Sequence, residues 1–183
     1  MISFIIATIG RPSLADTVAS IEVWPGDEIL IVGDPPEAFR PLSGMGPHVR
    51  FIPCPRGGDW GSTERNVATP FARGRYLAHI DDDDVYTPGA RALMADAIMR
   101  HPAVPTIFRM RLPDGSTPWL DPVIRWGNVG TPMFLTPNVP AKLGRWGEHQ
   151  DCGDLRFLQT MHWRNHEVAW REDVIAHVLQ GHP

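Results

Sequence analysis

Residues 76–88 read Tyr-Leu-Ala-His-Ile-Asp-Asp-Asp-Asp-Val-Tyr-Thr-Pro. The apolar first part of this stretch is typical of a buried β-strand, and it runs directly into the four carboxylates of residues 81–84. Four adjacent carboxylates repel one another, so they cannot be buried together unless a cation or the hydrogen bonds of a ligand offset that repulsion. We therefore expect them at the carboxyl end of a strand, which is the edge where open α/β sheets bind ligands.

The acidic stretch alone allows two interpretations. Hard oxygen ligands spaced two residues apart suit Mg²⁺ or Mn²⁺ carrying a phosphate, which predicts a metal–nucleotide site. Alternatively, the aspartates form a solvated turn ahead of a helix, with Thr87 as the N-cap and Pro88 as the first helical residue. The residues at the ends of the neighbouring strands are needed to distinguish these two interpretations.

Length and composition are those of an ordinary soluble globular protein. The 183 residues are enough for one domain with a substantial core. The net charge is −4 and the basic residues are scattered, so we expect no strong non-specific binding to nucleic acid. The apolar run over residues 2–8 has no basic leader and is too short to span a bilayer, which predicts a cytoplasmic protein without a membrane anchor. Cys54 and Cys152 lie in no CxxC or zinc-type cluster, so we expect reduced thiols.

Strands and helices alternate through the first hundred residues. Buried strands are predicted over residues 2–8, 28–34, 49–54 and the segment that ends at Asp81. Helices are predicted over residues 13–21 and 90–100, and between them a helix capped by Ser62, with Val67, Ala68 and Phe71 on its buried side and an interruption at Pro70. This alternation predicts a mostly parallel sheet, and therefore an α/β fold.

The pattern changes in the second half of the chain. Residues 106–112, the turn at 113–116 and the run after it predict an antiparallel hairpin, and residues 129–135 predict another strand. A last helix over residues 151–162 and an extended segment over 168–179 follow. This half is therefore expected to be mixed rather than parallel.

Three polar side chains fall at the carboxyl ends of predicted parallel strands. Thr8, Asp34 and Asp81 are far apart in sequence, but the fold brings them to one edge. Asp34 can accept a hydrogen bond from a base or a ribose hydroxyl, and Arg65 can supply charge or a bidentate contact. Neither GxxxxGK[ST] nor GxGxxG is present after the first strand, which leaves a metal to neutralise the phosphates.

With these motifs, the sequence resembles the inverting glycosyltransferases of family 2, which have the GT-A fold. The likeness covers nearly the whole chain. It rests on Ala7-Thr8-Ile9-Gly10-Arg11-Pro12, on Ile31-Val32-Gly33-Asp34, on Glu64-Arg65-Asn66-Val67-Ala68 with Gly74-Arg75-Tyr76-Leu77, and on Ile80-Asp81-Asp82-Asp83-Asp84-Val85 with Pro88. It implies a GT-A-like, Rossmann-type fold in a single domain over residues 1–183. Residues from about 1 to 100 would bind the nucleotide sugar, and residues from about 101 to 183 would bind the acceptor.

The resemblance also implies roles for single residues at the donor site. Residues 81–83 would be the DxD motif, with Asp83 as the ligand of Mn²⁺ or Mg²⁺ and Asp81 as a contact to the ribose or the metal. His182 is favoured over His177 as a third metal ligand. The residues implied in binding the nucleotide sugar are Thr8, Arg11, Asp34, Arg65, Asp81 and Asp82.

The acidic pair that carries the family's catalytic base is matched by Gly153 and Asp154, so its first acid is missing here. Asp154 is therefore the implied base, with Asp151 and Glu148 as rivals. The chemistry requires a carboxylate on the face of the sugar opposite the leaving group, where it takes the proton of the acceptor hydroxyl. Without the resemblance, Asp151 would be read as a helix cap and Asp154 as a residue that favours the positive end of that helix.

The expected function is transfer of a sugar, with inversion, from a nucleoside-diphosphate donor, most simply a UDP-sugar, to an acceptor hydroxyl. One alternative is a sugar nucleotidyltransferase, which would need a Gly-rich basic loop that residues 9–12 supply poorly. Another is a non-catalytic nucleotide- or cation-binding module. The acceptor stays open among a small glycan, a lipid-linked glycan, a protein and a modified nucleic acid. Four tryptophans lie in predicted loops or hairpin ends: Trp60, Trp119, Trp126 and Trp146. Filling the core is the commoner use of tryptophan, so at most one or two of them are expected in an acceptor pocket.

Overall fold

Four parallel strands form the first half of the central sheet. The computed structural model describes residues 1–34, 46–147, 152–163 and 167–179. The strands are β1 (Ile2–Thr8), β2 (Glu28–Gly33), β3 (Val49–Pro53) and β4 (Tyr76–Asp81), and they lie side by side in the order β3-β2-β1-β4. This confirms the parallel α/β arrangement that the alternating pattern predicts.

Three helices cover both faces of these strands: α1 (Leu14–Ala19), α2 (Ser62–Ala68) and α3 (Ala90–Arg100). Phe4 and Ile6 of β1 pack in the core that contains α1 and α3, whereas Ile5 packs in the core that contains Ala68 of α2. Burial on both faces explains why the sequence of β1 is almost wholly apolar instead of alternating. At the predicted interruption, α2 continues as a 3₁₀ helix over Thr69–Phe71.

Some predicted helix starts are wrong. The N-cap of α2 is Gly61, with φ of 83°, and Ser62 is the first helical residue. The N-cap of α3 is Gly89 and not Thr87, because the Thr87 hydroxyl donates instead to the carbonyl oxygen of Val174 at 3.0 Å. Phe71 is also not buried as predicted, since the 3₁₀ turn at Pro70 leaves half of its surface exposed.

The second half of the sheet is mixed, as the sequence predicts. Its strands are β5 (Asp84–Tyr86), β6 (Thr106–Arg111), β7 (Phe134–Pro137) and β8 (Ala169–Val178), and one helix, α4 (Gly153–Gln159), lies between β7 and β8 in sequence. Within the described residues the sheet has eight strands in the order β3-β2-β1-β4-β7-β6-β8-β5. β7 runs antiparallel to both β4 and β6, β8 is parallel to β6, and β5 is antiparallel to β8.

The predicted hairpin after β6 is wrong. Its turn forms, because the Leu112 N–H donates to the Ser116 carbonyl oxygen at 2.8 Å, but residues 117–130 contain no strand. The Asn128 side chain bonds instead to backbone atoms of Leu120, Asp121 and Val123, and such local bonds compete with a strand ladder. The strand predicted over residues 129–135 accordingly begins only at Phe134.

The helices are short throughout. Across the described ranges, none is long and apolar enough to cross a membrane.

Candidate functional site

The four aspartates divide between the end of β4, a turn and the start of β5. Asp81 is the last residue of β4, and Asp84 is the first of β5. Asp82, Asp83 and Asp84 are each less than 5% exposed, and only Asp81 is more open. The alternative of a solvated acidic turn is therefore wrong.

Asp82 joins the ends of β1 and β4. Its Oδ2 accepts hydrogen bonds from the Thr8 hydroxyl at 2.6 Å and from the Ile9 N–H at 3.1 Å, and its Oδ1 accepts one from Arg11 Nη1 at 2.7 Å. Thr8 in turn accepts a bond from the Gly10 N–H at 2.9 Å. The predicted site residues Thr8, Arg11 and Asp82 thus lie together, and in this arrangement Asp82 braces the two strand ends.

Two arginines face the acidic turn. Arg11 Nη1 also lies 3.0 Å from Asp83 Oδ2. Arg65 is buried, pairs with Asp81 and donates through Nη1 to the Trp60 carbonyl oxygen at 2.9 Å. Its guanidinium carbon lies 4.7 Å from the centre of the Trp146 ring, a cation–π contact.

Negative charge still dominates at Asp84. Burial, followed by the carboxylates of Asp81 and Asp83, raises the pKa of Asp84 to about 8. An added cation near this turn would relieve that repulsion and favour the ionised carboxylates.

The donor atoms fit a divalent cation that is bound together with a diphosphate. Among the described residues, no three His, Cys, Asp or Glu side chains are grouped to hold a metal by themselves. Mg²⁺, however, is commonly held by one or two carboxylates together with phosphate oxygens and water, and Asp81 and Asp83 are hard ligands of that kind. His182 lies outside the described residues. His177 lies on β8, opposite Val85.

The predicted meeting of strand ends is present. Thr8 is in register with Gly33, the last residue of β2, and Ala7 is in register with Asp81. Asp34 follows Gly33 directly and is exposed. Thr8, Asp34 and Asp81 therefore lie along one edge of the sheet, and their roles in binding a donor stay predictions.

Asp154 lies in the first turn of α4 and faces this edge. Its Oδ1 accepts a hydrogen bond from the Leu155 N–H at 2.7 Å. Burial raises the pKa of Asp154, and both Arg65 and Asp81 are near enough for their charges to act on it. The structure thus brings a carboxylate from the second half of the chain to the aspartate turn of the first half. The rivals Asp151 and Glu148 lie outside the described residues.

Gly153, which the resemblance matches to the first acid of the family's pair, is tightly packed. A Cβ at position 153 would overlap the Ser62 hydroxyl oxygen and lie 3.4 Å from a Trp146 ring carbon. An acidic side chain therefore could not be added at Gly153 without moving Ser62. Of positions 153 and 154, only Asp154 therefore carries an acidic side chain.

Trp146 is part of the site in a way that the sequence does not indicate. It was expected in a loop with a possible acceptor role, but it is 1% exposed and stacks on Phe157 with ring centres 4.8 Å apart. The contact that places it below Arg65 joins segments 81 positions apart, so no local spacing could predict it. Of the other loop tryptophans, Trp119 is buried, whereas Trp60 and Trp126 are exposed.

Solved structures with the same fold include S. aureus TarS. Residues 1–349 of TarS match with a TM-score of 0.75 at 14% identity, over 97% of this chain and 60% of that one. The same part of TarS in complex with UDP-GlcNAc matches with a TM-score of 0.75 at 13% identity, over 100% of this chain and 59% of that one. A longer TarS structure matches with a TM-score of 0.73 at 14% identity, over 97% of this chain and 36% of that one. The chain thus spans less than two thirds of these structures.

No curated protein matches the sequence. The family model described as Glycosyl transferase family 2 matches residues 3–151, which include the strand ends, the aspartate turn and the segment leading into α4. The fold is that of the GT-A-like enzymes, with the acidic turn at the carboxyl edge of the sheet. The chain belongs to glycosyl transferase family 2.

Proposed function

We propose that the chain transfers a sugar, with inversion, from a UDP-sugar to an acceptor hydroxyl with the help of Mn²⁺ or Mg²⁺. The observation that carries the proposal is the approach of Asp154 to Asp81 and Arg65. A donor bound at the strand ends and a base borne on α4 would then share one reaction centre. Residues from about 1 to 100 bind the donor, and residues from about 101 to 183 bind the acceptor.

The donor is held at the carboxyl edge of β1, β2 and β4. Asp34 and Thr8 contact the base, and Asp81 contacts the ribose. Arg11 pairs with Asp82 and Asp83, and its partly exposed side chain can turn to an incoming diphosphate, whose charge has the same sign as that of the carboxylates. The buried Arg65 keeps Asp81 in place. The TarS complex with UDP-GlcNAc, whose fold this chain shares, supports a uridine nucleotide as donor.

Asp83 and Asp81 would hold the divalent cation together with the diphosphate. When bound, such a cation stabilises the negative charge that develops on the departing diphosphate. The Asp154 carboxylate takes the proton of the acceptor hydroxyl. The oxygen of that hydroxyl attacks the anomeric carbon from the face opposite the leaving group. The raised pKa of Asp154 makes it a stronger base than an ordinary aspartate.

A donor screen tests the proposal. The full chain is incubated with UDP-, GDP- and TDP-sugars and a mixture of glycan acceptors, with Mn²⁺ or with a chelator, and nucleotide release and products are measured. Metal-dependent release of UDP with a new glycoside supports it. In a parallel incubation with UTP and a sugar 1-phosphate, release of pyrophosphate would indicate a sugar nucleotidyltransferase instead. Nucleotide binding without any turnover in either incubation would indicate a binding module.

A further inference from the structure

The Asp82 carboxylate is enclosed by the segment that follows β1. Its Oδ2 accepts hydrogen bonds from the Thr8 hydroxyl at 2.6 Å and the Ile9 N–H at 3.1 Å, and its Oδ1 accepts one from Arg11 Nη1 at 2.7 Å. Asp82 is only 2% exposed. It therefore presents very little surface to a ligand, and any effect it has on a ligand is exerted mainly through these partners.

Arg11 is the charged partner, and its side chain is partly open to solvent. Its Nη1 is engaged with Asp82 Oδ1 and also lies 3.0 Å from Asp83 Oδ2. Within the described part of the chain, its Nε and Nη2 make no hydrogen bond. Two parallel N–H groups on one edge of a guanidinium are suited to bind a phosphate group. The edge formed by Nε and Nη2 is thus available while Nη1 stays on Asp82.

The same carboxylate also fixes the backbone that leads to Arg11. Ile9 is held through its N–H, and Thr8 through its hydroxyl. Gly10 has φ of 84°, a conformation that favours glycine, and its N–H donates to the Thr8 hydroxyl at 2.9 Å. Asp82 therefore determines both the path of the chain to Arg11 and the position of one nitrogen of its guanidinium.

We propose that Asp82 is a positioning residue, which holds Arg11 by Nη1 so that the Nε and Nη2 edge meets the diphosphate of the donor, and that Asp82 itself does not touch the nucleotide. The inference rests on the function proposed above, because it assigns the orientation of a residue in the same donor site. When the donor binds, the guanidinium leaves Asp83 and turns about its bond to Asp82. The side chain is then ordered before the donor arrives, which lowers the entropy lost on binding.

Asp82→Asn breaks the contact with Arg11 selectively. The amide oxygen can keep the bonds from Thr8 and Ile9, whereas the amide nitrogen then faces Arg11 Nη1 and cannot accept a hydrogen bond. By calorimetry at a fixed Mg²⁺ concentration, we expect UDP affinity to fall about tenfold and uridine affinity to stay the same, because uridine has no diphosphate. Removal of a negative charge would by itself strengthen the binding of an anion, so weaker binding of UDP could not come from charge alone.

A double-mutant cycle with Arg11→Met shows whether Asp82 acts through Arg11. Arg11→Met alone should weaken UDP about tenfold or more and leave uridine unchanged. In that background, Asp82→Asn should cost no further affinity for UDP, because the guanidinium that it positions is already absent. Asp16→Asn is the matched control, since Asp16 is an exposed aspartate of α1, and its replacement should not weaken UDP in either background.

A second measurement needs no variant at Asp82. In the isotope-labelled wild-type chain, the NMR signals of the Arg11 guanidinium are identified by their loss in Arg11→Met. They should show slow rotation about the Cζ–Nη1 bond both without and with UDP, because Nη1 stays bonded to Asp82. Fast rotation in the UDP complex would overturn the assignment even if Asp82→Asn did not fold.

Three binding results would also overturn it. They are unchanged or tighter binding of UDP in Asp82→Asn, an equal loss for UDP and uridine, and a loss of the same size in the Arg11→Met background. The last result would indicate that Asp82 acts through the cation or the nucleotide instead of through Arg11. If the wild type binds UDP more tightly than uridine in these cases, the donor site stands and only the role of Asp82 fails. Absence of UDP binding by the folded wild-type chain would instead refute the function proposed above.

Discussion

Asp154 is a partly buried aspartate in the first turn of a helix, where an acid ordinarily only favours the positive end of the helix. With that role alone, Asp154→Asn would cost about 1 kcal/mol or less and leave turnover unchanged. We expect turnover to fall by about 10²-fold or more, because the proton acceptor is lost in the transition state, with UDP affinity and Tm near wild type. Initial rates, calorimetry and thermal melting measure the three quantities.

Asp151→Asn is the paired variant, because Asp151 is the rival base. A larger loss of turnover in that variant would move the base to Asp151. The pH profile gives an independent check. Since burial raises the pKa of Asp154, its basic form is lost on acidification at a higher pH than for an ordinary aspartate near 3.8. The acidic limb of kcat/KM should therefore lie above that value in the wild type and disappear in Asp154→Asn.

His79 of β4 makes stability sensitive to acid. It is fully buried against Trp146, Phe134 and Phe157, and neither ring nitrogen has a hydrogen-bond partner within the described part of the chain. Burial, and secondarily the charge of Arg65, lowers the pKa of His79 well below 6.5. Below about pH 6.5 the unfolded chain therefore binds a proton that the folded chain does not, which removes up to about 1.4 kcal/mol of unfolding free energy per pH unit.

Replacement by a ring of similar size tests that prediction. His79→Phe removes both unpartnered nitrogens, so it should unfold with a shallower pH dependence between pH 6.5 and 5 and be at least as stable as the wild type at pH 6. Urea unfolding at a series of pH values measures both effects. Identical pH slopes in the two proteins would exclude His79 as the cause.

At the scale of elements, α4 depends on its contact with the segment before it. A Cβ at Gly144 would overlap the carbonyl oxygen of Phe157, so Gly144→Ala must displace this segment from the helix that carries Asp154. We expect a loss of about 2 kcal/mol or more in stability, together with lower turnover. Gly115→Ala is the control, because its Cβ would meet open space and only its φ of +85° costs about 1 kcal/mol. Equal losses in the two variants would contradict a specific role for the contact.

Elements with an uninterrupted apolar sequence were predicted well. β1, β2 and β4 are buried on both faces. Burial on both faces requires a nearly continuous apolar sequence, which can be recognised within each strand without knowledge of distant parts of the chain. The segment after β6 was not predicted, because its course depends on Asn128, a single side chain that bonds to three backbone groups. The predicted starts of α2 and α3 were wrong because a glycine with positive φ, Gly61 or Gly89, takes the N-cap position in place of a Ser or Thr side chain.

At the scale of the whole molecule, the proposed donor site joins residues from several strands, and we expect it to respond to metal as one unit. UDP should bind more tightly with Mn²⁺ or Mg²⁺ than with a chelator. Asp83→Ala should abolish this difference and weaken binding by about 2 kcal/mol or more, as expected when a charged partner is removed from a largely buried site. Glu172→Ala, at an exposed side chain on β8, should change neither quantity. Calorimetry that finds the same UDP affinity with and without metal would contradict the prediction.

The candidate site was predicted as far as strand order allows. Thr8, Asp34 and Asp81 were expected at one edge because parallel strands end on the same side, and they lie there. The hydrogen-bond and ion-pair partners of the aspartates could not be predicted from the sequence. That Asp82 is enclosed by Thr8, Ile9 and Arg11, and that Arg65 lies between Asp81 and Trp146, depends on side-chain packing between distant segments.

The short strand β5 has a consequence for the order of events during synthesis. β5 follows the aspartate turn directly, yet it pairs with β8, and the Leu179 N–H reaches Asp84 across 95 positions of sequence. While the chain is being made, the first four strands can associate as soon as they leave the ribosome. β5 can contact α1 and its C-cap at that stage, but the strand it pairs with, β8, has not yet emerged. Asp84 therefore takes up its final arrangement late, whereas Asp82 can bond to Thr8, Ile9 and Arg11 beforehand. A nascent chain halted before β8 should hold a sheet whose proposed donor site is incomplete.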